Sequence, residues 1–274
     1  MPPTFQRNRE KLPNEPRPVY RCVNVDGLQY LQNPYNEPMN DDHSDLRNAA
    51  YEANLAIKAS GLIVLTWGNA SAADQDAGVF AIKPSGVAYE DLTPAKMVVV
   101  SIETGRVVSG DLRPSSDTAT HQRLFAAFPG IGGVVHTHSL HATSFAQAAR
   151  PIACLGTTHA DHFAGSVPVT RHPTAEEIHA GYEAATGDII VEHFRTEAID
   201  PLSIPAVLLP HHGPFVWGTD VNEAVRNAIA LEAVAEMAAR TYAIVGPPPA
   251  VPDRLQAKHF SRKHGPDAYY GQSR

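Results

Sequence analysis

Two histidines separated by one residue, His136 and His138, follow the small and β-branched residues 132–135. On a β-strand, side chains at positions i and i+2 point to the same face of the sheet. Two imidazoles in this arrangement can bind one divalent metal, at about 2.0–2.1 Å per metal–nitrogen bond. A pair of this kind is also common as an ordinary polar strand end, so the residues around it decide between the two interpretations.

A third histidine, His212, follows the strand predicted at 206–209 and could complete the metal site. Three histidines with an open coordination position are typical of catalytic metal sites, since structural sites usually have four protein ligands. His211 is an alternative ligand, although on an extended backbone it would face the opposite way. His141 and His159 could support the site from outside or lie on the surface.

The segment Ser115, Ser116 and Asp117 opens a predicted helix that ends near residue 127. Two hydroxyls and the free backbone N–H groups at a helix start form a pocket for an anion. Simple capping of the helix by Ser116 or Asp117 is the alternative explanation. Asp117 could also be a fourth metal ligand that the substrate displaces.

Two turns add further polar groups at predicted strand ends. The first contains Gly68 and Asn69, and the second contains Lys83, Ser85 and Gly86. The glycines allow the backbone to approach a ligand closely. The Lys83 charge suits a phosphate, although an isolated lysine at a strand end is often only solvated. Together with the serines at the helix start, these turns predict a phosphate pocket beside a histidine-rich metal site.

The composition describes a globular protein without an obvious polyanionic partner. Hydrophobic residues make up 43% of the 274 residues and charged residues 19%, which is enough for a full core. The formal net charge of −7 argues against binding to nucleic acid or an anionic membrane. No run approaches the roughly 18–20 apolar residues of a membrane span, and the two cysteines indicate no disulfide framework. With no apolar leader at its start, the chain is expected in the cytoplasm.

The chain is expected to contain one α/β domain preceded by an irregular extension. Residues 1–41 carry seven of the 23 prolines and could lie over the surface or a neighbouring subunit. Residues 42–274 are predicted to form a central sheet with flanking helices. The predicted helices are 42–60, 114–127, 140–149, 174–185 and 221–243, and the predicted strands are 63–66, 79–82, 97–102, 106–108, 133–137, 189–191 and 206–209.

The order of these motifs resembles that of the class II aldolase/adducin family. The resemblance extends from about residue 45 to residue 272. Four motifs, those that contain Trp67, Gly156, His212 and Arg262, are more similar to the family's pentose-phosphate 4-epimerases than to its aldolases. The motifs are Thr66-Trp-Gly-Asn-Ala-Ser-Ala, Ile82-Lys-Pro-Ser-Gly-Val, Lys96-Met-Val-Val-Val, Pro114-Ser-Ser-Asp-Thr, Val135-His-Thr-His-Ser, Gly156-Thr-Thr-His-Ala-Asp, His212-Gly-Pro-Phe-Val-Trp-Gly and Arg262-Lys-His-Gly-Pro-Asp-Ala-Tyr-Tyr-Gly-Gln.

The resemblance implies a single three-layer αβα domain with a central, mainly antiparallel sheet. It also implies a fourfold-symmetric homotetramer with active sites at subunit interfaces. The implied metal ligands are Asp117, His136, His138 and His212, with zinc as the expected metal and manganese or cobalt as alternatives. The implied substrate-binding residues are Gly68, Asn69, Ser85, Gly86, Ser115 and Ser116. The implied proton-transfer pair is Asp161 and Tyr270, the latter reaching in from a neighbouring subunit.

The activity that the resemblance implies is the interconversion of L-ribulose 5-phosphate and D-xylulose 5-phosphate. The proton on C4 of such a sugar is not acidic, so inversion requires cleavage and re-formation of the C3–C4 bond. A divalent cation would stabilise the resulting negative charge, and the phosphate would hold the aldehyde fragment while it turns. One proton-transfer group is then needed on each side of the aldehyde. The alternatives are a related metal-dependent aldolase or epimerase with a different sugar phosphate, and a non-catalytic, adducin-like assembly module.

Two segments of the chain depart from the family pattern. Pro210 stands where a polar residue often precedes the third histidine, so the hydrogen bonding of that ligand could differ. His162 and Ala164 stand near Asp161 where aromatic residues are common, and they could alter the surroundings of the expected proton donor.

Overall fold

The computed structural model describes residues 21–25, 28–32, 43–264 and 268–269. The chain divides into two compact units, residues 1–42 and 43–274. In the first unit, strands β1 (Arg21–Val25) and β2 (Leu28–Gln32) pair as an antiparallel hairpin. This hairpin differs from the prediction that residues 1–41 are irregular throughout. A domain boundary after residue 41 stays a prediction.

A seven-stranded sheet forms the centre of the second unit, and every pairing between its strands is antiparallel. The strand order across the sheet is β6-β5-β4-β3-β7-β9-β8. The strands are β3 (Gly68–Asp74), β4 (Val79–Ile82), β5 (Val98–Ser101), β6 (Val107–Ser109), β7 (Gly133–Thr137), β8 (Ala206–Leu208) and β9 (Pro214–Gly218).

Helices cover both faces of this sheet. The helices are α1 (Ser44–Ala59), α2 (Thr118–Ala127), α3 (Leu140–Gln147), α4 (Thr157–Ala160), α5 (Ala175–Thr196), α6 (Val221–Val245) and α7 (Asp253–His264). Helices α1, α3 and α6 share one buried cluster with one face of the sheet, and α2 and α5 share a second cluster with the other face. The predicted three-layer αβα domain with an antiparallel sheet is confirmed.

Successive side chains along each strand point to opposite faces of the sheet, so they pack in different core layers. Val134 and Val135 are neighbours on β7, yet Val134 packs in the cluster beneath α2 and α5 and Val135 in the cluster beneath α1, α3 and α6. Such alternation is what a strand buried on both faces requires. Trp217 on β9 is fully buried, and its indole N–H donates to the Pro201 carbonyl at 2.8 Å. None of the helices in the described ranges combines the length and the apolar character needed to span a bilayer.

Two predicted strands were wrong. Residues 63–66 form a tight turn in which Leu65 adopts a φ of +53°, and the strand begins afterwards, as β3. Its small Ala and Ser side chains have weak strand propensity, but they fit beneath a closely packed helix layer. Residues 189–191 belong to α5, because their apolar side chains face the sheet from a helix that runs to Thr196 and bends at Gly181.

The other predicted helices and strands are confirmed with end shifts of a few residues, except that the helix predicted at 174–185 continues as α5 to Thr196. Polar side chains satisfy the free backbone N–H groups at two of the helix starts. The Thr174 hydroxyl and the Glu177 carboxylate form a capping box at the start of α5. Glu232 of α6 accepts hydrogen bonds from the backbone N–H groups of His141 at 2.7 Å and Ala142 at 2.9 Å. The first turn of α3, directly after the histidine pair, is therefore capped by a carboxylate from another helix.

Gly133 allows α6 to approach the first residue of β7. A Cβ atom at this position would lie 2.3 Å from the Val221 Cα and 2.6 Å from the Val221 backbone nitrogen. Backbone atoms at a helix start cannot move aside as the end of a flexible side chain can. The closeness of β7 and α6 therefore depends on the absence of a side chain at residue 133.

We predict that Gly133→Ala lowers the free energy of unfolding by about 1–3 kcal/mol through overpacking. Chemical denaturation followed by circular dichroism measures this change. Gly156→Ala is the matched control, because Gly156 has an extended backbone and no heavy atom would lie within 4 Å of the added Cβ. Equal stabilities of the two variants would contradict the proposed close approach.

Candidate metal and phosphate site

The register of β3 and β7 sets the position of the histidine pair. Asn69 on β3 lies opposite His136 on β7, and Phe215 on β9 lies opposite His136 on the other side. The His136 ring stacks on the Phe215 ring at a centroid distance of 4.2 Å. The His136 Nδ1 lies 2.9 Å from the Pro214 carbonyl, which can accept its proton. This leaves the Nε2 lone pair free for a metal.

Three imidazoles come together at this end of the sheet. The ligand nitrogens of His136, His138 and His212 all lie within 4.8 Å of one another. The Nε2 atoms of His136 and His138 are 3.1 Å apart. Two nitrogens on one tetrahedral zinc are expected about 3.4 Å apart for bonds near 2.1 Å. The donor set and its spacing therefore fit a divalent metal.

Burial keeps two of these imidazoles in the form that binds metals. Burial lowers the pKa of His138, and the neighbouring His136 lowers it further, against the opposing effect of Asp117. Burial likewise lowers the pKa of His212 to about 3, helped by His136 and His138. Near neutral pH both rings are uncharged, with lone pairs free for coordination.

His212, and not its neighbour His211, joins the other two histidines. The His212 Nδ1 lies 3.1 Å from the hydroxyl of Tyr182 on α5. His211 adopts a φ of +60° and is exposed, with its ring 5.1 Å from that of His172. Tyr182 thus supplies the hydrogen-bonding partner that Pro210 cannot supply.

Asp117 is the N-cap residue of α2, and it also lines the cavity beside the three histidines. No hydrogen bond from its own helix reaches the carboxylate, so the predicted capping by the Asp117 side chain is not seen. The Asn69 Nδ2 donates to the Asp117 Oδ2 at 2.7 Å and to the Ser115 Oγ at 3.1 Å. Burial raises the pKa of Asp117, but nearby His136 and His121 and the Asn69 amide together lower it below its ordinary value. Asp117 is therefore held as a carboxylate.

The predicted substrate-binding residues line one cavity of about 280 Å³ together with the three histidines. Trp67, Thr66 and Pro84 line it as well. The predicted residues in the lining are Gly68, Asn69, Lys83, Ser85, Gly86, Ser115, Ser116, Asp117, His136, His138 and His212. The three imidazoles can hold a metal, and the helix start with its two hydroxyls can hold an anionic group. Because both line one cavity, a single ligand could contact the metal and the helix start together.

Lys83 lies in the cavity wall, but its ammonium group turns back to the protein. The Nζ donates to the Val87 carbonyl at 2.6 Å and lies 5.0 Å from the centre of the Tyr89 ring. Burial lowers the pKa of Lys83. The Tyr89 hydroxyl in turn donates to the Gly68 carbonyl at 2.9 Å. In this structure Lys83 and Tyr89 hold the turn at Ser85 and Gly86 against the start of β3.

Sequence reasoning missed two residues behind the cavity. His121 of α2 is fully buried, and its Nδ1 lies 2.6 Å from the Ser71 hydroxyl. Tyr182 follows the Gly181 bend of α5. No motif near Tyr182 points to the site, whereas His121 stands four residues after Asp117, on the same side of the predicted helix. His159, which was considered as a supporting residue, is buried and its Nε2 lies 2.8 Å from the Gly165 carbonyl.

One of the two expected proton-transfer residues, Asp161, does not line this cavity. Within the described residues, Asp161 is absent from its lining and lies just after α4, in contact with α7. Tyr270 lies outside the described residues. Their assignment to proton transfer stays a prediction.

Comparisons with known proteins agree with this architecture. Residues 48–239 match the model of the family described as "Class II Aldolase and Adducin N-terminal domain". The chain is similar to the L-ribulose-5-phosphate 4-epimerases UlaF of Salmonella paratyphi C (strain RKS4594) and Salmonella choleraesuis (strain SC-B67). Each is 49% identical to it over 227 residues, which cover 83% of this chain and 98% of the relative.

The fold also matches solved structures. An L-fuculose 1-phosphate aldolase superposes with a TM-score of 0.67 at 23% identity, and the match covers 80% of this chain and 96% of that structure. The family resemblance inferred from the order of the motifs is thereby confirmed. The chain belongs to the class II aldolase and adducin family.

Proposed function

We propose that this protein is a metal-dependent epimerase that interconverts L-ribulose 5-phosphate and D-xylulose 5-phosphate. The observation that carries the proposal is the 49% identity to relatives named for L-ribulose-5-phosphate 4-epimerase, across 98% of their length. The convergence of the predicted metal-binding and phosphate-binding residues on one cavity supports it further.

The metal would be held by His136, His138 and His212, with Asp117 as an additional ligand that the substrate can displace. Zinc is the metal we propose first, and manganese or cobalt would suit the same donors. When bound, the ion supplies positive charge that stabilises the negative charge developing at the C2 and C3 oxygens. The hydrogen bonds from His136 to Pro214 and between His212 and Tyr182 orient two of the rings.

The phosphate would lie at the start of α2, against the turn that Lys83 holds in place. Its proposed partners are Gly68, Asn69, Ser85, Gly86, Ser115 and Ser116. Anchored there, the aldehyde fragment stays in the site after the C3–C4 bond breaks and can present its other face. Retaining both fragments is what distinguishes an epimerase from an aldolase.

Proton transfer at the C4 oxygen is assigned to Asp161 and Tyr270, one for each face of the aldehyde. We propose that they reach the cavity across an interface of a cytoplasmic homotetramer. The separation of Asp161 from the cavity within one chain supports an interfacial site. So do the exposed apolar side chains of Met237, Ile244 and Val245 at the end of α6.

The function is tested by supplying L-ribulose 5-phosphate with each metal in turn and following the products over time. We expect D-xylulose 5-phosphate to form without free fragments. Accumulation of dihydroxyacetone and glycolaldehyde phosphate without the epimer would identify an aldolase. No turnover with any of the metals would instead favour the adducin-like assembly module.

We predict that His138→Asn removes the bound metal and reduces activity to background while the fold persists. The substitution deletes one of three metal-binding nitrogens, which the remaining two histidines cannot replace. Elemental analysis of the purified protein measures the metal, and circular dichroism checks the fold. The control is His179→Asn, at an exposed position of α5. Full metal content in His138→Asn would remove this residue from the site.

We predict that Ser116→Ala raises the KM for the phosphorylated sugar about tenfold or more. A hydrogen bond to a charged group contributes about 1.5–3 kcal/mol, and this hydroxyl is exposed at the cavity wall. Steady-state kinetics measure the change. Ser144→Ala on α3 serves as the control, because its hydroxyl donates to the Leu140 carbonyl away from the cavity. An unchanged KM would exclude Ser116 from phosphate binding.

A further inference from the structure

The Asp161 carboxylate is held by a side chain that the reaction scheme has not used. Arg262 of α7 donates from its Nε to the Asp161 Oδ1 at 2.9 Å and from a terminal nitrogen to the Oδ2 at 2.6 Å. This is the two-pronged arginine–carboxylate geometry, which fixes the plane of the carboxylate as well as its charge. The two residues are 101 positions apart in the chain.

Three further side chains of α7 surround the same residue. The His259 Nδ1 lies 3.0 Å from the Asp161 Oδ1, and the Lys263 Nζ lies 3.8 Å from the Oδ2. The His264 Nε2 lies 2.9 Å from the Asp161 backbone carbonyl. Helix α7 therefore presents four nitrogen-bearing side chains of its last two turns to one residue.

This contact between α7 and Asp161 is polar. No residue of α7 is fully buried, so apolar packing contributes little to holding the helix. In addition, the Gln256 side-chain amide donates to the Ala164 carbonyl. The Asp161 side chain is 12% exposed, and limited access to water strengthens its charge-assisted hydrogen bonds.

The surroundings of Asp161 favour its ionised form. Burial raises the pKa of its carboxyl group, but the hydrogen bonds from Arg262 and His259 and the charge of Lys263 together lower it below its ordinary value. His162, the next residue, also faces this group. Burial lowers the pKa of His162, as do Lys263 and His264. Near neutral pH, Arg262 and Lys263 are thus the permanent charges beside Asp161.

We propose that α7 acts as a clasp in which Arg262 is a positioning residue, holding Asp161 ionised and oriented so that it enters the reaction as the proton acceptor. This inference rests on the proposed epimerase function. In cleavage, the C4 hydroxyl proton passes to the Asp161 carboxylate and the O–H electron pair forms the C4 carbonyl. The C3–C4 bond breaks, and its electron pair stays with the three-carbon fragment. Because its pKa is lowered, Asp161 is ionised, and so available to accept the proton, down to a lower pH than an ordinary aspartate.

The clasp predicts a specific change in pH dependence when Arg262 is altered. In Arg262→Gln the Asp161 carboxyl loses one of its two permanent charge partners and both arginine hydrogen bonds, so its pKa rises. The acidic limb of the kcat/KM profile should move to higher pH by about one unit or more. Arg262→Lys keeps a charge but not the paired hydrogen bonds, and should move the limb by less. Arg254→Gln, at an exposed position early in α7, is the control and should leave the profile unchanged.

A second measurement does not depend on turnover. Carbon-13 NMR of protein labelled at aspartate carboxyls follows the titration of Asp161, whose signal is identified by its loss in Asp161→Asn. The Asp161 pKa should be higher in Arg262→Gln than in the wild type. An equal pKa in both proteins would overturn the clasp, whatever the enzyme does.

Activity measurements, compared with the NMR result, distinguish the remaining outcomes. A wild-type protein without epimerase activity, but with the NMR shift, would refute the proposed function and leave the ion pair intact. An active Arg262→Gln with the NMR shift and an unmoved pH profile would show that Asp161 is not the proton acceptor, and would overturn the role given to Arg262. Circular dichroism and metal analysis of each variant exclude unfolding or metal loss as the cause.

Discussion

The pairing of β3 with β7 is the constraint on which the candidate site depends. It sets Asn69 beside His136, and from there the Asn69 amide reaches the Asp117 carboxylate at the start of α2. The register of β3 is itself fixed from the helix layer. Asn54 of α1 donates to the Ala70 carbonyl at 2.8 Å and accepts from the Ala70 N–H at 3.0 Å. A slip of one residue would turn Asn69 to the opposite face of the sheet and part the metal-binding strand from α2.

The sequence predicted most of the site because its chemistry is carried by short motifs. The histidine pair, the third histidine and the Ser-Ser-Asp helix start all stand where elements with clear apolar patterns end, so their convergence could be inferred. The strand β3 could not be predicted, since its Ala and Ser residues carry no strand signal of their own. The strand predicted at 189–191 was wrong because a short apolar run has the same composition in a buried strand and in a helix.

Contacts between residues far apart in the chain could not be predicted from the sequence. Nothing near Tyr182 indicates that the bend at Gly181 brings its hydroxyl to His212. Likewise, the 101 residues between Asp161 and Arg262 give no pattern that pairs them. Family resemblance named Asp161 as a reacting group, whereas its ionisation state follows only from the three-dimensional surroundings. Motifs therefore predict which groups react, whereas the charges and hydrogen bonds around those groups are set by tertiary structure.

The capping of α3 by Glu232 bears on where an anion can be held near the three histidines. Two helices begin beside these histidines, and each helix start would attract an anion. At α3 the first N–H groups already bind a carboxylate, so α2 is left as the helix start open to a phosphate. Glu232 thus acts as a built-in anion at α3, so the two helix starts, although equivalent in backbone, differ in what they can still bind.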